Sequence, residues 1–340
     1  MRNETRKLYA AYLAHIAKLN GVDDPTTKFT VDPTIQQRLE TKVQESSDFL
    51  RRINITPVTE IESEKLGLGI GGPVASRTDT TQNERQTTDL SSLDAQRYRC
   101  EKTNSDTHIS YGKLDMWAKF KDFQTRISGL VIQRQALDRI AIGWNGVSVA
   151  ANTNRAANPK LQDVNKGWLQ HCREQAPGRV LKEVRAGSGK IKIGGGIPAA
   201  DGYRNLDALV YDITGNLIDP WHQEDPELVV VCGRELLHDK YFPIVNGTDD
   251  PSEKLAADLV ISQKRIGGLP AVRVPYFPPN ALLVTRLDNL SIYWQEGSRR
   301  RTVVDKASRD RIENYESSND AYVVEDYGLV ALAENIELVQ

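Results

Sequence analysis

The stretch from Thr59 to Gly112 constrains this chain most, because only 13 of its 54 residues are apolar, about 24% against 39% overall. A segment so poor in apolar side chains cannot bury enough surface to build its own core. Its pattern is nevertheless not that of a disordered tail. Leu66, Leu68 and Ile70 alternate with Lys65, Gly67 and Gly69, and Tyr98, Cys100, Ile109 and Tyr111 offer a returning strand. Together these features predict a long, open hairpin. Two arms of roughly 20 residues at ~3.3 Å per residue would reach roughly 65 Å, beyond a globule of this mass. Such an arm needs a neighbouring molecule to lie on.

The 340 residues allow two or three folding units with real cores, which excludes a mini-protein or a disulfide scaffold. With 44 Lys+Arg against 46 Asp+Glu, the net charge of −2 supplies no field for indiscriminate binding to nucleic acid or anionic lipid. Any contact with a polyanion must be local. Cys100, Cys172 and Cys232 form no C-x-x-C pair, so buried or idle thiols in a reducing compartment are expected. No apolar run approaches the ~20 residues of a bilayer span. Arg2, Glu4, Arg6, Lys7 and Lys18 interrupt any secretory core at the N-terminus. A soluble protein without a membrane partner is expected, and the sequons at Asn3, Asn54, Asn246 and Asn289 are chance matches.

Leu8, Tyr12, Ile16 and Leu19 recur at helical spacing and end at Asn20-Gly21. Val22 to Lys28 reads as an exposed linker. A second helix follows, capped by Asp32 with Pro33 in its first turn and striped by Ile35, Leu39 and Val43. Residues 1–29 are therefore a separable basic segment, five basic minus three acidic residues or +2, leaving −4 on the remainder. Leu114 to Trp144 carries the strongest helical period and predicts one spine helix about 45 Å long. Gly143 and Gly146 are read as its exit. A short helix around Val164 to Cys172 and a Gly-rich loop from Gly187 to Gly202 come next. Asn205 caps a helix striped by Leu206, Leu209, Val210, Ile213 and Leu217. Leu228 to Cys232 reads as a fully buried strand, with further strands at Ala271 to Val274, Ala281 to Leu287 and Leu290 to Trp294. Four more are expected at Thr302 to Asp305, Arg311 to Tyr315, Ala321 to Glu325 and Leu329 to Leu338.

Residues that could carry chemistry fail on spacing. Gly187-Ser188-Gly189-Lys190 lacks the earlier glycine of a phosphate loop, having Val184 there, and Ile191 stands where Ser or Thr is needed. It is read as a surface loop, and Gly67 to Gly72 as a strand needing close backbone approach. His15, His108, His171, His222 and His238 fall in separate elements, so no metal site is expected. His171 and Cys172 are adjacent and point about 100° apart on a helix, which rules out a thiol–imidazole pair. Trp221 to Asp225 lies between Pro220 and Pro226 and reads as a turn. Arg299-Arg300-Arg301 reads as a solvated turn or a rim salt-bridge donor in preference to a polyanion contact. No catalytic, cofactor-binding or metal-binding residue emerges.

Several stretches resemble a known family: Gln44 to Ile55, Leu114-Asp115-Met116-Trp117-Ala118, Ile261 to Gly267, Leu269 to Pro278, Glu313 to Ser317 and Tyr322 to Tyr327. They are similar to the major capsid proteins of peduovirus-type temperate tailed phages, a branch of the Hong Kong 97-type shell fold. The Gly187 to Gly202 loop departs most. The resemblance implies an α+β fold and a chain divided into an N-terminal scaffold-like segment (1–29), an N-arm (30–58) and an extended hairpin loop (59–112). A peripheral domain with the spine helix (113–159), an α/β axial domain (160–295) and returning peripheral strands (296–340) complete the division. It implies a non-enzymatic major capsid protein forming hexamers and pentamers of an icosahedral head around double-stranded DNA, with assembly in the host bacterial cytoplasm and a place in the virion capsid. The implied partners are further copies of the chain, an internal scaffold and prohead protease, a portal protein and packaged DNA held by weak non-specific contact. Trimming of the N-terminal segment is implied near Lys28, Phe29 and Thr30. A tail or connector component and, more remotely, a nucleotide-binding α/β enzyme are the rival readings.

Overall fold

The computed structural model describes residues 1–66, 75, 77–82, 84–85, 87, 95–120, 123–237 and 265–339. Gly67 to Gly72, His238, Asn246 and Ile261 to Lys264 lie outside them. Helix α1 (Asn3–Asn20) stops at Gly21, whose φ of +62° is the left-handed conformation that glycine adopts at least cost. A short strand β1 (Phe29–Thr30) leads to α2 (Pro33–Glu45), where the Asp32 side chain accepts from the amides of Thr34 and Ile35 as expected. Next come α3 (Asp48–Arg52), β2 (Asn54–Val58), β3 (Glu62–Leu66), β4 (Ala95–Arg99), β5 (Glu101–Asn104) and β6 (Thr107–Ser110).

The expected single spine is two helices, α4 (Tyr111–Trp117) and α5 (Phe123–Asn145), with the Phe120 amide turning back onto the Trp117 carbonyl at 3.0 Å. A straight helix would set Trp117 and Ile127 about 80° apart around its axis. The break lets both pack on one cluster with Leu114. After α6 (Trp168–Gln175), β7 (Val180–Leu181), β8 (Ile191–Ile193) and β9 (Gly202–Tyr203) comes α7 (Leu206–Leu217), capped by Asn205 through the Ala208 amide. Strands β10 (Val229–Cys232), β11 (Arg265–Ile266), β12 (Leu269–Arg273), β13 (Leu282–Thr285), β14 (Leu290–Gln295), β15 (Arg300–Lys306), β16 (Arg311–Val324), β17 (Ala331–Ala333) and β18 (Ile336–Leu338) follow.

Period-two patterning decides the centre. A six-stranded sheet runs β11-β12-β10-β13-β17-β7. Val229, Val231, Leu283 and Leu332 point to one apolar cluster, while Val230, Cys232, Leu282 and Val284 point to another beneath α7. Both faces are covered, so the strands read as continuous apolar runs. The first cluster holds a chain of aromatic contacts from Phe49 through Trp144 and Trp168 to Tyr322, with ring centroids 4.9 to 5.4 Å apart. The helix does end beside them, at Asn145, but Gly143 and Gly146 also have a packing role. A Cβ on Gly143 would lie 2.2 Å from the Trp168 ring, and one on Gly146 2.0 Å from the Asn165 carbonyl. They let α5 close on the start of α6.

A seven-stranded sheet is organised around β16, a single 14-residue strand where two shorter ones were expected. On one edge β14 and then β15 pair with it, and β5 and β6 pair along the other. Between β14 and β15 five residues, Gln295 to Arg299, face only Ser318 and Asn319. This wide bulge turns Arg299 inward. β1 forms the outer edge beyond β15, and β2 lies parallel to β14.

Candidate functional site

The three candidate processing residues sit in and beside β1. Phe29 pairs with Arg301 and Thr30 with Arg300, and the Val31 amide donates to the Arg299 carbonyl at 3.0 Å. Lys28 and Thr30 are exposed, but Phe29 is only 7% exposed, among Val31, Leu114, Val303 and Ile312. A protease that reads an extended chain must therefore lift this edge strand first. Helix α1 lies over the same cluster through Tyr9 and Ile16. Its grip has a flaw, because the buried Tyr9 hydroxyl has no hydrogen-bond partner. An orphaned buried hydroxyl costs about 1–3 kcal/mol.

Directly beneath β1 the triple arginine does something the sequence did not suggest. Arg299 is 3% exposed and belongs to no solvated turn. Its guanidinium donates to Glu40 of α2 at 2.7 Å, to Glu316 of β16 at 2.7 Å and to Gln135 of α5 at 2.9 Å. Arg139 of α5 donates to both Glu40 oxygens and, at 3.1 Å, to Asp320. Gln135 closes the circuit onto Glu316 at 3.1 Å. Three carboxylates thus share two guanidiniums in the buried interior. Burial opposes the charge on Glu40 and Glu316, yet the arginines outweigh it and hold both below the usual range. On Asp320 burial wins over Arg139, and its carboxyl is pushed up. Arg301 is employed differently: it donates at 2.8 Å to Asn314 and at 2.8 Å to the Tyr12 hydroxyl of α1.

The polar hairpin begins with β3 and β4, which pair antiparallel from Glu62–Arg99 to Leu66–Ala95 and with no other strand among the described residues. Its base is docked. Lys65 reaches Glu325 at 2.8 Å, Tyr98 stacks edge-on against Tyr293, and Cys100 is buried against Ala321 and Val323. Its flanks carry the exposed pairs Arg97–Glu64 and Arg99–Glu62. Contrary to the sequence reading, Ile109 and Tyr111 belong to no return arm, since β5 and β6 have already joined β16.

The family model for the phage major capsid protein of the P2 family matches residues 8–336. The chain is 53% identical to the capsid protein of Escherichia phage P2, over 99% of this chain and 96% of that one. The chain belongs to the P2 family of phage major capsid proteins. It is also 41% identical to the major capsid protein of Serratia phage KSP20, over 100% of this chain and 99% of that protein. Among solved structures it superposes on a satellite phage P4 procapsid that includes the size determination protein, with a TM-score of 0.83, 49% identity, and coverage of 100% of this chain and 99% of that chain. The capsid of an empty GTA particle shares the fold alone, at a TM-score of 0.50 and 14% identity over 86% of this chain and 90% of that one. The P2-family chain is a structural, capsid-forming protein of mixed helix and strand, and its relatives are named as capsid proteins, not enzymes.

The remaining motifs of the P2-family chain have structural explanations. The Glu183 carboxylate accepts from the amides of Gly187 at 2.9 Å and Gly189 at 2.7 Å, so the loop that suggested a phosphate cradle is filled by its own chain. Those amides hold Glu183 below the usual carboxylate range. Lys190 pairs with Glu337 at 3.0 Å. Trp221 to Asp225 is a turn, with amides of His222 and Asp225 donating back to Asp219 and His222. Cys100 and Cys172 are buried, and burial pushes each thiol up to about 12. Among the described residues no three His, Cys, Asp or Glu side chains group as metal ligands, and no helix is long and apolar enough to cross a membrane.

Proposed function

We propose that this capsid protein assembles as hexamers and pentamers of an icosahedral head, with residues 59–112 acting as an arm laid on the neighbouring subunit. In this reading residues 30–58 are the N-arm, 113–159 and 296–340 the peripheral domain, and 160–295 the axial domain. Residues 1–29 guide assembly together with an internal scaffold and its protease, and are then removed at Lys28 to Thr30. Portal protein and weakly held DNA are the other partners, met in the bacterial cytoplasm where the head forms. The hairpin carries the reading: a charged two-stranded sheet that joins no other strand among the described residues and keeps the Arg97–Glu64 and Arg99–Glu62 pairs exposed is what an intersubunit arm requires. Many such weak contacts make a stable shell because they are multivalent. Electron microscopy of the chain produced with its scaffold is expected to show closed shells, and rings or tubes would refute the reading. N-terminal sequencing of shell protein from virions should begin next to residues 28–30; recovery of Met1 or Arg2 would refute the cleavage.

A further inference from the structure

Helices α1, α2 and α5 line an open groove of about 540 Å³ that no described residue fills. Its apolar walls include Ile16 and Leu19 of α1, Ile35 and Leu39 of α2 and Ile132 of α5, and Leu19 is 43% exposed. Apart from the Tyr12 phenol, the titratable side chains lining it are basic: His15, Arg38, Lys42 and Arg301. Among the described residues none of these four forms an ion pair with a carboxylate. Arg301 already serves Asn314, Tyr12 and the charge of Glu316, so the rim's positive charge is chiefly that of Arg38 and Lys42, and an apolar trough so edged suits a helix with one apolar and one acidic face.

Gly129 of α5 lines the groove and points the same way. Glycine inside a helix costs about 1 kcal/mol relative to alanine, so it calls for a close approach. Gly143 and Gly146 have theirs within the chain. A Cβ on Gly129 would meet nothing within 4 Å. The bare backbone there, beside Thr125 and Ser128, offers a second helix axis the short approach that small residues permit.

We propose that this groove docks an acidic amphipathic helix of a different polypeptide while residues 1–29 remain attached. If those residues are removed as proposed above, the α1 wall goes with them and the bound helix is released. Release rests on that reading, whereas docking does not.

The test uses the full-length chain and a fluorescent designed peptide carrying a leucine stripe and a glutamate face, with a leucine–lysine isomer as control. Anisotropy is expected to show binding of the glutamate peptide, weakening with added salt, and no comparable binding of the lysine isomer. Gly129→Trp fills the groove from a position where added atoms meet open space, so the fold should persist by circular dichroism while binding falls about ten-fold or more. The pair Arg38→Glu and Lys42→Glu should reduce it similarly. Equal binding of the two peptides, or an affinity untouched by Gly129→Trp, would overturn the proposal. So would self-association of the chain that Gly129→Trp abolishes without any peptide binding, which would assign the groove to a second copy. Binding that persists after the N-terminal segment has been cut would overturn the release step alone.

Discussion

The network around Arg299 and the hairpin of β3 and β4 are made of the same residue types and behave oppositely. In the network, Glu40, Arg139, Arg299, Glu316 and Asp320 are all 7% exposed or less and knit together residues up to 259 positions apart. In the hairpin, the side chains of Arg97 and Glu64 are 69% and 51% exposed, and their bond joins two arms of one local sheet. Losing a partner in the interior strands a charge without water, while losing one on the arm returns the other to solvent. Charge content is therefore silent about role until burial is known. The interior group holds one subunit together, and the hairpin's exposed pairs contribute little to that.

The sharpest way to break this contrast is Arg299→Ala. It should cost about 3–5 kcal/mol, read as a lower urea midpoint at unchanged slope, because Glu40 and Glu316 lose their shared donor. A loss near that of a surface pair would abolish the distinction. Glu40→Gln comes next, at about 2–3 kcal/mol, since a charge-assisted acceptor for two guanidiniums becomes neutral. Asp320→Asn should cost less than Glu40→Gln, because three carboxylates share two guanidiniums and Asp320 is the one whose charge is disfavoured.

The pH profile sharpens the same point. Glu40 and Glu316 are depressed, so the stability they supply is present above the ordinary glutamate range and lost as pH falls through their lowered values. Asp320 is raised, so its contribution has the reverse sign and is lost as pH rises through its elevated value. Urea midpoints between about pH 3 and pH 8 should therefore climb more steeply toward neutrality in Asp320→Asn than in the parent. The smallest effect belongs to the arm. Arg97→Ala should change the stability of the free subunit by only about 0.2–1 kcal/mol, and less in added salt.

Elements defined by local rules were legible in the sequence. The Asp32 and Asn205 caps, the stripe of α7 and the apolar run of β10 each depend on neighbours within a few residues, and the structure has all four. The network was not legible, because its members come from four distant stretches and no local pattern announces them. One signal was present. Glu316, Ser318, Asp320, Tyr322 and Val324 alternate on one face of a single strand, and the apolar end of that face enters the core, carrying the acidic end inward with it. Reading 311–324 as two strands hid this continuity. The glycines of α5 were equally ambiguous, since an exit and a tight helix contact use the same residue for different reasons.

The central place of β16 also governs when a subunit can come into being. Strands β5 and β6, from the first third of the chain, pair with it, and Glu40, which Arg139 can meet early, lacks its second guanidinium until Arg299 has been synthesised. Contacts this distant in sequence close late and slowly during folding. A chain whose translation stops early lacks the strand that its sheet is built around, so it cannot present a finished edge to a growing shell. A fragment that ends before residue 311 is left with β5, β6 and β15 and no common strand to join them.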